Sequence, residues 1–244
     1  MNKIKNYFKD RENLMAIALI LYYVLIMEGG SSLLSLLFKA MFKHETLVKY
    51  NTTFNIILNV AVYLLLGAVI IPFSLKYIKQ DYEISSKNTQ NPARLISFGL
   101  IVMYAVSIFS SLISGILSDA SSANQDGINE MTSSTWGFIS LFLIIGIIGP
   151  VIEELIFRRA LFQIFKNNTL SIIISSISFG LLHMTNQAGS ALDFFAVLIP
   201  YLSAGIVFSS LYVKSNKNIL VPIACHITNN AVSLLILAFT SGLI

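Results

Sequence analysis

Glu153 and Glu154 stand side by side after the apolar run Trp136 to Ile152 and before Leu155-Ile156-Phe157. A carboxylate near the middle of a bilayer costs on the order of 2.5–3.5 kcal/mol on insertion scales, so acids placed there are candidates for chemistry with specific partners. Two histidines, His183 and His226, also fall in apolar segments, and Asn230 follows His226 at i,i+4. Acids and imidazoles buried together in a membrane suggest chemistry. Glu154 and Arg158 are also i,i+4, which puts them on one helix face where they can pair. Glu153 points about 100° away from that face and is free for another task. Phe179 lies one helical turn before His183 and is spaced to wall its ring.

The elements that position these residues are apolar helices. Of 244 residues 55% are hydrophobic and 11% charged, against roughly 25% charged in soluble domains. The expected fold is an all-α, polytopic membrane helical bundle with about seven transmembrane helices. A span needs about 20 apolar residues, and the candidates are 14–38, 54–75, 95–117, 136–157, 169–185, 192–213 and 219–240. The first is interrupted by Glu28-Gly29-Gly30 and reads as a span plus an interfacial piece. Its basic start resembles a secretory signal but lacks an Ala-x-Ala type cleavage site, so it is expected to be retained. The absence of linkers, low-complexity tracts and solenoid repeats argues for one integral membrane domain, 1–244, with 136–240 as its catalytic core helices. The lone Cys225 excludes an internal disulfide and a Cys-based metal cluster and reads as a small buried hydrophobe. His44, beside Glu45 in a polar stretch, carries no expected function.

Lysine and arginine placement orients the chain. With the N-terminus in the cytoplasm and seven crossings, all but Lys39, Lys43 and Lys49 of the 16 basic residues are cytoplasmic. Among these are Lys3, Lys5, Lys9 and Lys87. The net charge of +4 then reflects membrane orientation rather than nucleic-acid binding. Depth is consistent with one site. Glu153 lies 14 residues before Asn167 and His183 15 after Asn168, so a helical hairpin turning there sets both roughly 21–23 Å from the turn. A second hairpin around Lys214–Asn218 brings His226 and Asn230 within reach. Gly149-Pro150 is expected to break the fourth span and restart a helix with Pro150 in its first turn, whose positive end would favour the two acids.

Each feature has a plainer reading: a structural ion pair for Glu154–Arg158, a packed imidazole for His183, an interhelical hydrogen bond for His226 and Asn230. Their coincidence at compatible depths favours a site. Glu153-Glu154-x-x-x-Arg158, Phe179-x-x-x-His183 and His226-x-x-x-Asn230 resemble, in this order, the three motifs of the CAAX prenyl protease and bacteriocin-processing (CPBP, Abi) family of intramembrane proteases. The resemblance covers about 135–235. Arg159 stands where many relatives have glycine, a departure expected to touch packing more than chemistry. The resemblance implies endoproteolysis of a small hydrophobic or membrane-associated peptide, such as a bacteriocin or pheromone precursor or a CAAX-like substrate. By the same resemblance Glu153 activates water with His183, His226 and Asn230 stabilise the oxyanion, and Glu154, Arg158 and Phe179 support the site. Metal-free, glutamate-dependent hydrolysis is favoured over a metal mechanism; if a metal is bound, Glu153, His183 and His226 make a His₂-Glu set for zinc or another divalent ion, although no His-Glu-x-x-His motif is present. The expected partners are a peptide or protein substrate and membrane lipid, with no nucleic acid, and the expected location is a bacterial cell membrane. Two rivals stay open: a non-catalytic immunity or scaffold protein, and a proton-coupled transporter, which the lack of visible paired half-sequences disfavours.

Overall fold

The computed structural model describes residues 10–87 and 92–244, so Lys3, Lys5 and Lys9 of the orientation argument lie outside the described residues, as does the side chain of Lys87. Every described element is helical: α1 (Arg11–Met41), α2 (His44–Lys49), α3 (Asn51–Lys87), α4 (Pro92–Leu117), α5 (Ala123–Met131), α6 (Thr135–Phe165), α7 (Asn168–Leu182), α8 (Ala191–Lys214) and α9 (Leu220–Thr240). Six of these, α1, α3, α4, α6, α8 and α9, are long and apolar enough to cross a bilayer, and α7 is a shorter apolar helix. The protein is an all-α membrane bundle.

α6 is the most enclosed spanning helix, in contact with α1, α3, α7 and α9. That explains why the acids it carries are shielded while Leu and Ile on α1, α3 and α4 face outward. The tightest pairing is α7 on α8. A Cβ on Gly205 would lie 2.8 Å from Ser176 Cα, and one on Gly180 would lie 3.3 Å from the Leu202 backbone nitrogen. Small residues let backbones approach where lipid offers no hydrophobic driving force between helices.

Polar side chains tie the two ends of the bundle. At one end Glu12 of α1 meets Lys76, Tyr77 and Arg159, and Arg159 also lies over the Tyr77 ring at 3.7 Å. Asp81 of α3 accepts the Ile219 N–H at 2.7 Å. Arg159, the departure from the family pattern, thus fastens α6 to α1 and α3, in line with a packing role. At the other end Ser118 donates to Asp193, which also closes the capping box of α8, and Thr52 donates to Glu130 at 2.9 Å.

Two sequence expectations are corrected. The first span is not interrupted at Glu28-Gly29-Gly30: a π-helical stretch, Leu25–Gly30, carries the helix through, with the Ser31 and Ser32 hydroxyls bonding the Met27 and Glu28 carbonyls. The fifth span ends at Leu182, so His183 is its C-cap rather than an interior residue. The stretch between the third and fourth spans holds α5, whose N-cap Ser122 accepts from the Gln125 N–H.

Candidate active site

Glu153 and Glu154 sit on a six-residue α-helical segment of α6, Gly149–Glu154, between two π-helical stretches, Ile144–Ile148 and Leu155–Ala160. The expected helix break at Gly149-Pro150 does not occur, because Ile148 and Gly149 both keep right-handed helical dihedrals. The chain changes its hydrogen-bond register instead, and the Gly149 N–H bonds to Ile144 O. No helix N-terminus therefore faces the acids. One carbonyl is stranded by this shift. Ile145 O would receive the Gly149 N–H in an α-helix and the N–H of residue 150 in a π-helix, and Pro150 has none. Asn230 Nδ2 of α9 donates to that carbonyl at 3.1 Å. The fourth span's proline and the last motif's asparagine are thus parts of one device.

Asn230→Ala is accordingly expected to destabilise the protein by about 1–3 kcal/mol, the cost of an orphaned buried acceptor. Adding Pro150→Ala, which supplies an N–H at that turn, should recover part of the loss. Unfolding of the two single variants and the double variant in detergent checks this; additive losses would contradict it.

Glu154 and Arg158 are fully buried. Arg158 Nε lies 3.1 Å from Glu154 Oε2, Arg158 Nη2 donates to Gly205 O at 3.3 Å, and the guanidinium stands 4.8 and 5.4 Å from the Phe179 and Phe208 ring centres. The pairing expected from i,i+4 spacing is present, but it is half of what Glu154 does. Its other oxygen, Oε1, accepts from His226 Nδ1 at 2.9 Å, while Phe208 stacks on the imidazole at 4.5 Å. A carboxylate on one ring nitrogen fixes both tautomer and direction of the other.

That other nitrogen, His226 Nε2, faces Glu153 Oε2 at 3.8 Å, too far for a direct hydrogen bond. Glu153 Oε1 accepts from Tyr63 at 3.4 Å. His183 bonds Phe179 O through Nδ1 at 2.9 Å. A carbonyl only accepts, so the Nδ1 position carries the proton and Nε2 is left as an acceptor. Phe179 flanks the ring at 4.8 Å as expected, and Tyr201 stacks on it at 4.6 Å. Glu153, His183, His226 and Asn230 all line a single cavity of about 490 Å³, together with Tyr63 and Tyr201. Cys225, as expected, is buried outside it. Among the described residues no group of three His, Cys, Asp or Glu side chains is gathered to hold a metal ion. Glu153, His183 and His226 do not form a ready metal cage.

Sequence reading missed Tyr63 and Tyr201. Tyrosines inside apolar spans, each with a polar tip to satisfy, were the available signal. It also missed the bond from Glu154 to His226, which joins residues 72 apart and has no local trace.

A family model described as "Type II CAAX prenyl endopeptidase Rce1-like" matches residues 135–232, the stretch from α6 into α9. Over 149 residues the chain is 29% identical to a protein of Mycoplasma capricolum subsp. capricolum named only as uncharacterized (58% of this chain, 43% of that one). It is 26% identical over 155 residues to the putative membrane peptidase YdiL of Bacillus subtilis (59% of each). It is 26% identical over 186 residues to the membrane-embedded CAAX protease MroQ of Staphylococcus aureus (72% and 71%). The matched region thus spans about half the length of the first two of these relatives. No solved structure gives a significant match. The family match runs through all three motifs, which lie on α6, α7 and α9, so over this stretch the chain is similar to the CPBP (CAAX prenyl protease/bacteriocin-processing, Abi) family.

Proposed function

We propose that this protein is an intramembrane endopeptidase that hydrolyses a peptide bond in a small hydrophobic or membrane-associated peptide, such as a bacteriocin or pheromone precursor. One observation carries the reading: Glu153, His183, His226 and Asn230, from three distant stretches of sequence, converge on one cavity inside a membrane bundle. The names of two relatives, a putative membrane peptidase and a membrane-embedded CAAX protease, support it.

In this reading Glu153 takes a proton from water as the hydroxide attacks the scissile carbonyl. His183 Nε2, held as an acceptor, orients that water and shares its proton. The second amide hydrogen of Asn230 and, with His226 doubly protonated and clamped at Nδ1 by Glu154, the Nε2–H of that imidazolium stabilise the oxyanion. Collapse of the tetrahedral intermediate breaks the C–N bond. The proton held by Glu153 passes to the leaving amine, and the products are a carboxylate and an amine.

The test is cleavage of a panel of small secreted and lipidated peptides by the purified protein, read by mass spectrometry. New fragments from the wild type, lost with His183→Ala, are the expected result. An intact panel, or fragments made equally by the variant, would sink the proposal in favour of a non-catalytic immunity or scaffold role.

A further inference from the structure

Tyr201 of α8 stands where the cavity, a candidate catalytic side chain and the cap of α5 meet. Its ring is nearly parallel to that of His183, 19° between planes and 4.6 Å between centres. Its hydroxyl lies 2.7 Å from the Ser122 hydroxyl, the N-cap of α5, and accepts from Asn124 Nδ2 at 3.4 Å. The same turn is pinned from the other side by Gln187, which accepts the Ala123 N–H at 2.9 Å and donates to Ser121 O at 3.0 Å. One end of Tyr201 is therefore fixed to the roof of the cavity and its face is laid against an imidazole.

His183 needs such support. It is the C-cap of α7, beyond the last helical turn, and is followed by a turn with Asn186 at positive φ. A side chain at a helix end is held by fewer neighbours than one in the helix interior. The ring's hydrogen bond from Nδ1 to Phe179 O holds one nitrogen. Phe179 meets the ring at a 45° tilt, and Tyr201 lies nearly parallel to it. With Nδ1 bonded and the ring packed against both, Nε2 is the nitrogen left to serve the cavity that His183 and Glu153 both line.

We propose that Tyr201 is a positioning residue for His183: its ring holds the imidazole in the Nδ1–H tautomer with Nε2 turned to the cavity, and its hydroxyl anchors that ring to α5. The inference rests on the endopeptidase reading for its functional meaning, yet its geometric content is testable without a substrate. The chain has only three histidines, so the ring nitrogens of ¹⁵N-histidine-labelled protein in detergent micelles can be assigned by single His→Gln variants. For the wild type the His183 signals should be those of a protonated Nδ1 and a bare Nε2. Tyr201→Phe, which keeps the stack, should keep that pattern. Tyr201→Leu should broaden the His183 signals or move them toward an averaged tautomer, while those of His226 stay in place and certify the fold; if His226 also moves, Tyr201→Met takes its place.

In the cleavage assay Tyr201→Leu should lower kcat at least tenfold with KM within threefold of wild type, since the loss is one of orientation and not of substrate binding. His183 signals unchanged in Tyr201→Leu, or displaced as far in Tyr201→Phe as in Tyr201→Leu, would overturn the proposal. If the wild type cleaves nothing, the endopeptidase reading fails, and the nitrogen signals still decide whether Tyr201 positions His183.

Discussion

Glu153→Gln is expected to lower the rate of peptide cleavage about 10²–10⁴-fold, the usual contribution of a positioned general base, and to leave the folded protein as stable as wild type or more so. Both halves follow from what the side chain touches. Its two oxygens are served by a Tyr63 hydroxyl at 3.4 Å and a His226 nitrogen at 3.8 Å, weak support for a nearly buried acid. A charge held in the bilayer interior costs on the order of 2.5–3.5 kcal/mol, and little in its surroundings offsets that. Glutamine keeps the shape and removes the charge. A fold that carries a poorly satisfied acid is giving up stability for function. Parallel measurement of cleavage and of thermal unfolding in detergent checks the pair; a variant both inactive and grossly destabilised would mean that Glu153 holds the structure.

Arg158→Ala should produce the opposite signature. Removing one partner of a buried ion pair costs about 3–5 kcal/mol, because the other charge is left uncompensated, a large share of a typical total stability of about 5–15 kcal/mol. Arg158 also fills a space walled by Phe157, Phe179 and Phe208 and bonds the Gly205 carbonyl, so alanine empties a junction between α6, α7 and α8. Loss of monodisperse protein on purification is the expected result. Replacing both charges, Glu154→Gln with Arg158→Met, should recover much of the folded yield, since well-packed neutral substitutes for a buried pair are often neutral or stabilising. Activity should stay about 10–100-fold low, the range for carboxylates that orient a working imidazole, because His226 loses the strong acceptor at its Nδ1. Full recovery of cleavage in the double variant would show that Glu154 serves only as a brace.

The sequence made the two acids legible as a pair with divided tasks, because i,i+4 spacing and helical phase are local properties. Glu154 toward Arg158 and Glu153 turned aside both follow from that phase. Span number and the hairpin turns were legible for a similar reason: long apolar runs punctuated by Asn167-Asn168 and Lys214–Asn218, near which the chain takes left-handed residues at Lys166, Asn216 and Lys217. What sequence could not give was the handling of irregular backbone. Glu28-Gly29-Gly30 and Gly149-Pro150 both read as breaks, and both are absorbed by π-helical register shifts. Carbonyls of the first shift also accept locally from Ser31 and Ser32, and the carbonyl stranded by the second finds Asn230 at a distance. The distant partners, His226 for Glu154 and Tyr201 for His183, depend on how α8 and α9 pack against α6 and α7. That packing is set by close approach at Gly205 and Gly180, which sequence marks only as two glycines among 13.

The most direct measurement takes one hydrophobic peptide that the wild type cleaves in liposomes and presents it to wild type and Glu153→Gln at equal reconstituted density, with intact-mass spectrometry of all products. The expected result is a fragment pair from the wild type whose masses add to the peptide plus one water, and the intact peptide alone from a Glu153→Gln protein that unfolds at or above the wild-type temperature. Equal cleavage by both proteins would contradict the assignment of Glu153 as the base on which hydrolysis depends.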